Sequence, residues 1–362
     1  MPLRRNIRSM LSNDIGIDLG TANTLVYVRG KGIVVNEPSV VAVNQKTGTV
    51  VAVGTQAKNM LGRTPQHITA VKPIVDGVIS DFEVTEEMMR YLLNRAQHDT
   101  KKFFGPRVVV GVPAGITNVE TRAVRDATIS AGARDVHIIE EPMAAAIGIR
   151  LPVLEPVGNM IIDIGGGTTD IAIISLGGIV VSKNLKIAGD RLNNDIINYI
   201  RNEFKILVGE KTAEYIKVAI GSVTELESVA HTAESAPSPE AVIRGRDLVT
   251  GLPREVVVTD ADIREATRQS VATLVEAAKE ALETTPPEII ADVMHRGVHL
   301  AGGGALFGGL ADLLHEHLKI PVIVADDPLT AVARGTGVVL EDLPRFADVL
   351  IKNDDALPSA KL

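Results

Sequence analysis

Residues 14–28 read DIGIDLGTANTLVYV, and residues 160–174 read MIIDIGGGTTDIAII. Each stretch is an apolar strand, a glycine-bearing turn and a second strand, with an acid near the end of the first strand. That acid is Asp18 in one copy and Asp163 in the other. Two further strands follow the first copy, around 33–35 and 40–43, with Gly30 and Gly32 in the intervening turn. The second copy continues through Gly177 and Gly178 toward an apolar segment at 185–187. Beyond each meander the pattern changes to alternating helix and strand, the signature of parallel crossover units. In the first half, helices are expected over 85–101 and 118–131, strands over 107–112 and 136–140, and a short helix from Pro142. In the second, helices are expected over 190–204, 260–282 and 306–317, strands over 297–301 and 321–325, and a last helix from Pro328. The order agrees over most of both halves, so the chain reads as one α/β plan used twice.

Composition narrows the class. At 362 residues, 45 % hydrophobic and 23 % charged, the chain has enough apolar material for two lobes and is not a disordered or coiled-coil sequence. Its longest weakly polar run, 171–181, is 11 residues, against roughly 20 for a membrane span. The absence of cysteine excludes disulfides and thiolate metal sites and fits a reducing compartment. A net charge of −8 argues against nucleic acid as a partner. Aromatics are 3 % with no Trp, whereas there are 32 glycines, so close backbone approaches are where chemistry is expected.

Two glycine-rich turns facing each other across a cleft would make a pair of anion nests. Thr21, Ala22 and Asn23 on one side and Gly165, Gly166, Gly167 and Thr168 on the other could grip a polyphosphate. Asp18 and Asp163 would repel phosphate directly, which implies an intervening divalent cation; Mg²⁺ with retained waters suits that place. A flexible turn with capping aspartates is the bland alternative, and the duplication argues against it. Neither a Walker loop nor a GxGxxG turn opens a helix after a strand here. A third cluster, Gly302, Gly303 and Gly304, is expected to open the helix from Leu306, where a helix N-terminus could face a phosphate and flat glycines a base or ribose. Glu214 and Lys217 share one helical face, either as a solvated ion pair or as contacts to a ribose or adenine edge. The segments 50–76 and 222–241 fit neither lobe's plan: the first reads as an insertion on lobe I, the second as a surface loop inside a small insertion of lobe II bounded by a helix over 212–220 and a strand over 255–258.

Together these motifs resemble a family. IGIDLGTANTLVYV, residues 107–148 (RVVVGVPAGITNVETRAVRDATISAGARDVHIIEEPMAAAIG), MIIDIGGGTTDIAIISLGGIVV, AGD at 188–190, GVHLAGGGALFGGL at 297–310 and DPLTAVARGTGVVL at 327–340 are similar to the signature of the actin, sugar-kinase and heat-shock ATPase superfamily. Within it, the likeness is to the rod-shape-determining bacterial actins of the MreB type over nearly the whole chain. The resemblance implies an actin-like ATPase fold of two duplicated ribonuclease H-like lobes around a nucleotide cleft. Lobe I would comprise 1–152 and 336–362 with an insertion over about 36–76 (subdomain IB); lobe II would comprise 153–335 with an insertion over about 188–259 (subdomain IIB).

The resemblance further implies ATP, with GTP as the second candidate, bound with Mg²⁺ and hydrolysed slowly during polymerisation into paired filaments. Nucleotide contacts carried over position by position are Gly20, Thr21, Ala22 and Asn23; Gly165, Gly166, Gly167 and Thr168; Gly189 and Asp190; Glu214, Tyr215, Ile216 and Lys217; and Gly302, Gly303, Gly304 and Ala305. Asp18 and Asp163 fall on the Mg²⁺ shell. The water-activating acid falls on Glu141, with Glu140 as second choice and the Thr168 hydroxyl able to hold the same water. In-line attack needs such a group; a capping acid ahead of Pro142 is the structural alternative. Two departures, Ala301 and Asp170 where the family commonly has Thr and Glu, bear on a hydroxyl contact and the reach of one acid.

Two segments suggest a membrane surface. Leu3, Ile7, Met10 and Leu11 share a helical face, with Arg4, Arg5 and Arg8 elsewhere, as an amphipathic basic helix on an anionic leaflet would have; a frayed tail is the alternative. Phe103 and Phe104 resemble the membrane-inserting loop of such proteins, with burial as the alternative. The resemblance implies the inner face of the cytoplasmic membrane as location, and the elongation-machinery membrane proteins of MreC, MreD and RodZ type as partners in organising peptidoglycan synthesis. A plasmid-segregating or division actin is the nearest other reading, and a small-molecule kinase of the superfamily a more distant one.

Overall fold

The computed structural model describes residues 14–97, 105–225 and 239–352. Its frame is two five-stranded sheets. The first takes β1 (Ile15–Leu19), β2 (Asn23–Val28), β3 (Gly32–Pro38), β4 (Arg107–Val112) and β5 (Asp135–Glu140) in the order β5-β4-β1-β2-β3. The second takes β6 (Asn159–Ile164), β7 (Thr169–Ser175), β8 (Gly178–Leu185), β9 (Val298–Ala301) and β10 (Val322–Val324) in the order β8-β7-β6-β9-β10. The two orders are the same: an antiparallel meander on one side of the first strand and parallel strands on the other. The central strands β1 and β6 are apolar on both faces because helices cover both. Edge strand β8 instead alternates exposed and half-buried positions.

Each sheet has its own core, Ile17, Met88 and Val110 in one and Ile162, Ile196 and Leu300 in the other. A third apolar cluster joins them: Val109 and Ile139 from the first sheet, Ile161 and Ala172 from the second, and Ala144, Ala145, Ala331 and Val332 from two helices, Glu141–Gly148 and Ala331–Glu341. Those helices press together so tightly that a side chain at Gly335 would overlap the Ala144 carbonyl. The cleft between the lobes therefore closes over a base of small residues.

Inserted elements flank the cleft. Lobe I carries a three-stranded sheet, Val50–Val53, Val41–Asn44 and Ile68–Val71, a helix Thr55–Met60, and a hairpin Ile74–Val75/Val78–Ile79. Lobe II carries Ile206–Leu207, Glu240–Asp247 and Pro253–Thr259, with helix Glu210–Ile220. Among the described residues no helix is long and apolar enough to cross a membrane.

The structure departs from the expected elements in three places. The glycines at 302–304 do not open a helix. They lead into a 3-10 turn, Gly303–Leu306, and the helix starts only at Leu310, after Gly309 in the left-handed region at φ 72°. The last helix likewise begins at Ala331, behind a 3-10 turn at Pro328–Thr330. An unexpected helix, Pro287–Arg296, fills the stretch before β9.

Candidate functional site

The first and second turns meet. A Cβ on Gly166 would lie 2.5 Å from the Ala22 Cβ, and one on Gly167 would lie 2.5 Å from the Thr21 Oγ1. Only glycine permits this approach, so the glycines of one lobe are shaped to the turn of the other. Gly165 N–H donates to the Thr168 carbonyl at 2.9 Å, which closes the turn on itself. On the other side, Ser39 Oγ donates to the Gly20 carbonyl at 2.6 Å and Ser39 N–H to the Ala22 carbonyl at 3.0 Å, so that turn is braced from β3. Ala22 and Asn23 remain exposed.

Four carboxylates lie beneath the turns. Asp18 on β1 stands opposite Leu25 and Gly111; Asp163 on β6 stands opposite Asp170 and Ala301. The pairing of Asp163 with Asp170 places two acids side by side, an arrangement ordinarily unfavourable in a sheet. Asp170 is held by the Ala114 N–H at 2.9 Å and Asn184 Nδ2 at 2.8 Å. Glu141, the first residue of its helix, feels Asp18, Asp170 and Asp163 together. Burial is the main cause that pushes all four carboxyls up: Asp18 to about 7, Asp170 to about 6, and Asp163 and Glu141 well above the usual range, with mutual repulsion adding to the last two. None of the four forms an ion pair with a Lys, Arg or His among the described residues.

Such a donor set suits a divalent cation. Oxygen ligands alone favour Mg²⁺ or Ca²⁺ over softer metals. No group of three or more His, Asp or Glu side chains among the described residues is arranged to hold a metal unaided. Water and phosphate oxygens would have to complete the shell, as Mg²⁺ prefers.

The remaining expected contacts separate into groups. Gly189 N–H donates to the Gly165 carbonyl at 3.1 Å and Asp190 N–H to the Gly166 carbonyl at 2.7 Å, which bolts helix Gly189–Glu203 onto the glycine turn. Lys217 Nζ donates to the Gly189 carbonyl at 2.9 Å, and burial lowers its pKa. Glu214 pairs with Lys58 of the opposite lobe at 3.1 Å rather than with Lys217. Tyr215 is 65 % exposed. The Ile216 side chain is fully buried in the lobe II core. Gly302, at φ 77°, puts its backbone against Asp163 and Ile164, where a Cβ would meet the Ile164 carbonyl at 2.3 Å. Gly303 is exposed, Gly304 packs on Ile164, and Ala305 is buried. Glu140 accepts the Gly115 N–H at 3.2 Å, while Glu141 faces the acids of both turns. Thr168 is buried beside the hairpin tip at Gly77 and assists in holding Asp170. Leu3, Arg4, Arg5, Ile7, Arg8, Met10, Leu11, Phe103 and Phe104 lie outside the described residues.

Sequence reasoning missed three parts of the site. Asp170 stands out in the sequence only as a departure from the family pattern, though its pairing with Asp163 follows from the turn length. The tip Asp76-Gly77, at φ 50° and 76°, is a type I′ hairpin whose Gly77 N–H donates to Thr21 Oγ1 at 2.9 Å; the Asp-Gly dipeptide is a recognised signal for that turn. Lys72 reaches across the cleft to Asp190 and Glu210, a contact no local pattern announces.

Two sheets of one order, joined through a helix pair and closing on facing glycine turns, define an actin-like protein. The solved structure of MreB5 from Spiroplasma citri bound to ADP superposes with a TM-score of 0.85 at 37 % identity, covering 93 % of this chain and 98 % of that one. The same protein bound to AMPPNP gives 0.84 at 38 % identity, with the same coverage. The family model described as MreB/Mbl protein matches residues 12–348, and the chain belongs to that family. It is 50 % identical over 338 residues to the cell shape-determining protein Mbl of Bacillus cereus, covering 93 % of this chain and 98 % of Mbl. It is equally 50 % identical, over 341 residues, to the cell shape-determining protein MreB of Escherichia coli, covering 93 % of this chain and 96 % of that protein.

Proposed function

We propose that this chain binds ATP between its lobes, hydrolyses it slowly, and assembles into paired filaments on the inner face of the cytoplasmic membrane. There the filaments organise peptidoglycan synthesis and maintain the rod shape, with membrane proteins of the MreC, MreD and RodZ type as partners. The observation that carries the reading is the meeting of two glycine turns above four buried carboxylates that form no ion pair with a cation among the described residues. The ADP and AMPPNP bound by the Spiroplasma relative support the choice of an adenine nucleotide.

Asp18 and Asp163 would hold Mg²⁺ through retained waters, and the ion supplies charge neutralisation for the polyphosphate. The backbone N–H groups of Thr21–Asn23 and Gly165–Thr168 cradle the phosphate oxygens, and Glu141 accepts a hydrogen bond from the attacking water to align it. The Thr168 hydroxyl, held near Asp170, steadies the same water. Gly189, Asp190, Glu214, Lys217 and Gly302–Ala305 surround the nucleoside. Light scattering after addition of Mg²⁺-ATP, with electron microscopy on a lipid monolayer, tests the reading. Rising scatter and straight paired filaments on the lipid are expected. Scatter that stays flat, over bare lipid, would sink it.

A further inference from the structure

The mouth of the cleft is crossed by ion pairs between the lobe I insertion and lobe II. Lys58 meets Glu214 at 3.1 Å, Lys186 meets Asp76 at 3.5 Å, and Lys72 meets both Asp190 at 3.1 Å and Glu210 at 2.5 Å. The first two involve side chains from 33 % to 69 % exposed, where solvent screening leaves little. Lys72 differs. Its side chain is 25 % exposed and its ammonium bridges two carboxylates of different helices. Burial alone would lower its pKa, yet Glu210 and Asp190 outweigh that and raise it, so the cation is held by its partners.

The backbone on either side of this bridge runs to the phosphate turns. Asp190 is the second residue of helix Gly189–Glu203, and its own N–H is bonded to the Gly166 carbonyl at 2.7 Å. Lys72 lies immediately before the segment Pro73–Ser80, whose hairpin tip donates to Thr21 Oγ1. The bridge thus links the element that braces one turn to the element that braces the other. Parting the lobes requires breaking it.

We propose that Lys72 is a positioning residue for the nucleotide: its ammonium, shared between Asp190 and Glu210, clamps the two lobes and sets how long the nucleotide is retained. This rests on the nucleotide lying between the glycine turns. Lys72 touches no turn itself and acts through Asp190 and the hairpin.

The test is release of N-methylanthraniloyl-ATP with Mg²⁺ from the full chain, chased with unlabelled ATP in a stopped-flow fluorimeter at low and high ionic strength. Wild-type release should be slow and should quicken with salt. In Lys72→Met, release should be about five- to tenfold faster, at the lower end of ordinary coupling energies between sites, and nearly indifferent to salt. Lys72→Glu should be faster still, because three carboxylates then face one another. Combining it with Glu210→Lys should bring the rate back toward wild type, a rescue that a merely structural role for Lys72 does not predict. The proposal is overturned if Lys72→Met releases at the wild-type rate, or if the charge swap is as fast as Lys72→Glu alone. A wild-type chain that fails to bind the analogue at all removes the nucleotide reading underneath, which is a separate and distinguishable outcome.

Discussion

Asp170→Asn should stabilise the nucleotide-free protein. Asp170 is 1 % exposed, stands beside Asp163 in the β6–β7 register, and has its carboxyl pushed from 3.8 to about 6, chiefly by burial. Because the folded value is raised, the unfolded chain releases the proton first as pH rises, so the folded state loses stability between the two values. Above about pH 6 the loss is complete, and at 1.36 kcal/mol per pKa unit it amounts to about 3 kcal/mol. Two of its three protein donors, Ala114 N–H and Asn184 Nδ2, converge on Oδ1, so an asparagine keeps an acceptor for each, beside the Thr168 hydroxyl, while shedding the charge. Allowing for imperfect replacement of the second oxygen, the net gain at pH 7.5 is about 1–3 kcal/mol.

The assay is thermal unfolding of both proteins without nucleotide or divalent cation, across a pH series. A unit the size of one lobe moves by about 2–4 °C per kcal/mol, so the asparagine variant should melt at least about 2 °C higher at pH 7.5. The advantage should fall to about half at pH 5 and vanish only below about pH 3, where the carboxyl is protonated in both states. Mg²⁺-ATP should narrow the gap at pH 7.5. A variant that melts lower than wild type at pH 7.5, or whose advantage is the same at pH 5, would refute the argument that uncompensated charge strains this site.

Other consequences concern chemistry and contact. Glu141→Ala should retain nucleotide binding and assembly while slowing phosphate release by about a hundredfold or more, the usual scale for losing a positioned acid or base; an unchanged rate in a phosphate-release assay removes Glu141 from the mechanism. Gly166→Val should hold the lobes apart, since even the Cβ falls 2.5 Å from that of Ala22, and should weaken nucleotide affinity at least tenfold by equilibrium fluorescence titration, a loss of about 1.4 kcal/mol. Ile216→Ala should destabilise lobe II by about 2–5 kcal/mol in urea unfolding, as cavity formation in a core does, whereas Tyr215→Ala should leave the midpoint nearly unchanged. Replacing Phe103 and Phe104 together by alanine should reduce co-sedimentation with anionic liposomes, and undiminished pelleting would place them away from the lipid.

What was legible in the sequence was whatever a short window contains. The strand, glycine turn and strand of 14–28 and 160–174 carry their own period and their own breaker, so the two paired-strand units and the place of Asp18 and Asp163 on their first strands followed from them. The third glycine cluster failed for a local reason that was also visible: Gly308 and Gly309 interrupt any helix from Leu306, and Gly309 takes the left-handed conformation just ahead of the true start at Leu310. Pro286 and Pro287 hid a helix in the opposite way, because proline suits a first helical turn as well as it ends one. Ile216 shares a helix with Glu214 and Lys217, and its apolar spacing with Ala213 and Ile220 marks it as part of the buried face.

The Lys72 bridge is different in kind. Its partners are 118 and 138 positions away, and although Asp190 belongs to the AGD stretch, nothing in the neighbourhood of Lys72 or Glu210 distinguishes them from solvated surface charges. They become a clamp only because Gly166 and Gly167 let the turns touch and Gly189 docks a helix on one of them. The glycines that identify the fold therefore also decide which distant charges meet. For this reason, substitutions at the turns and at Lys72 should couple rather than add. Once Gly166→Val has held the lobes apart, Lys72→Met should accelerate release no further, and a double variant whose effects simply multiply would separate the clamp from the turns it is argued to hold.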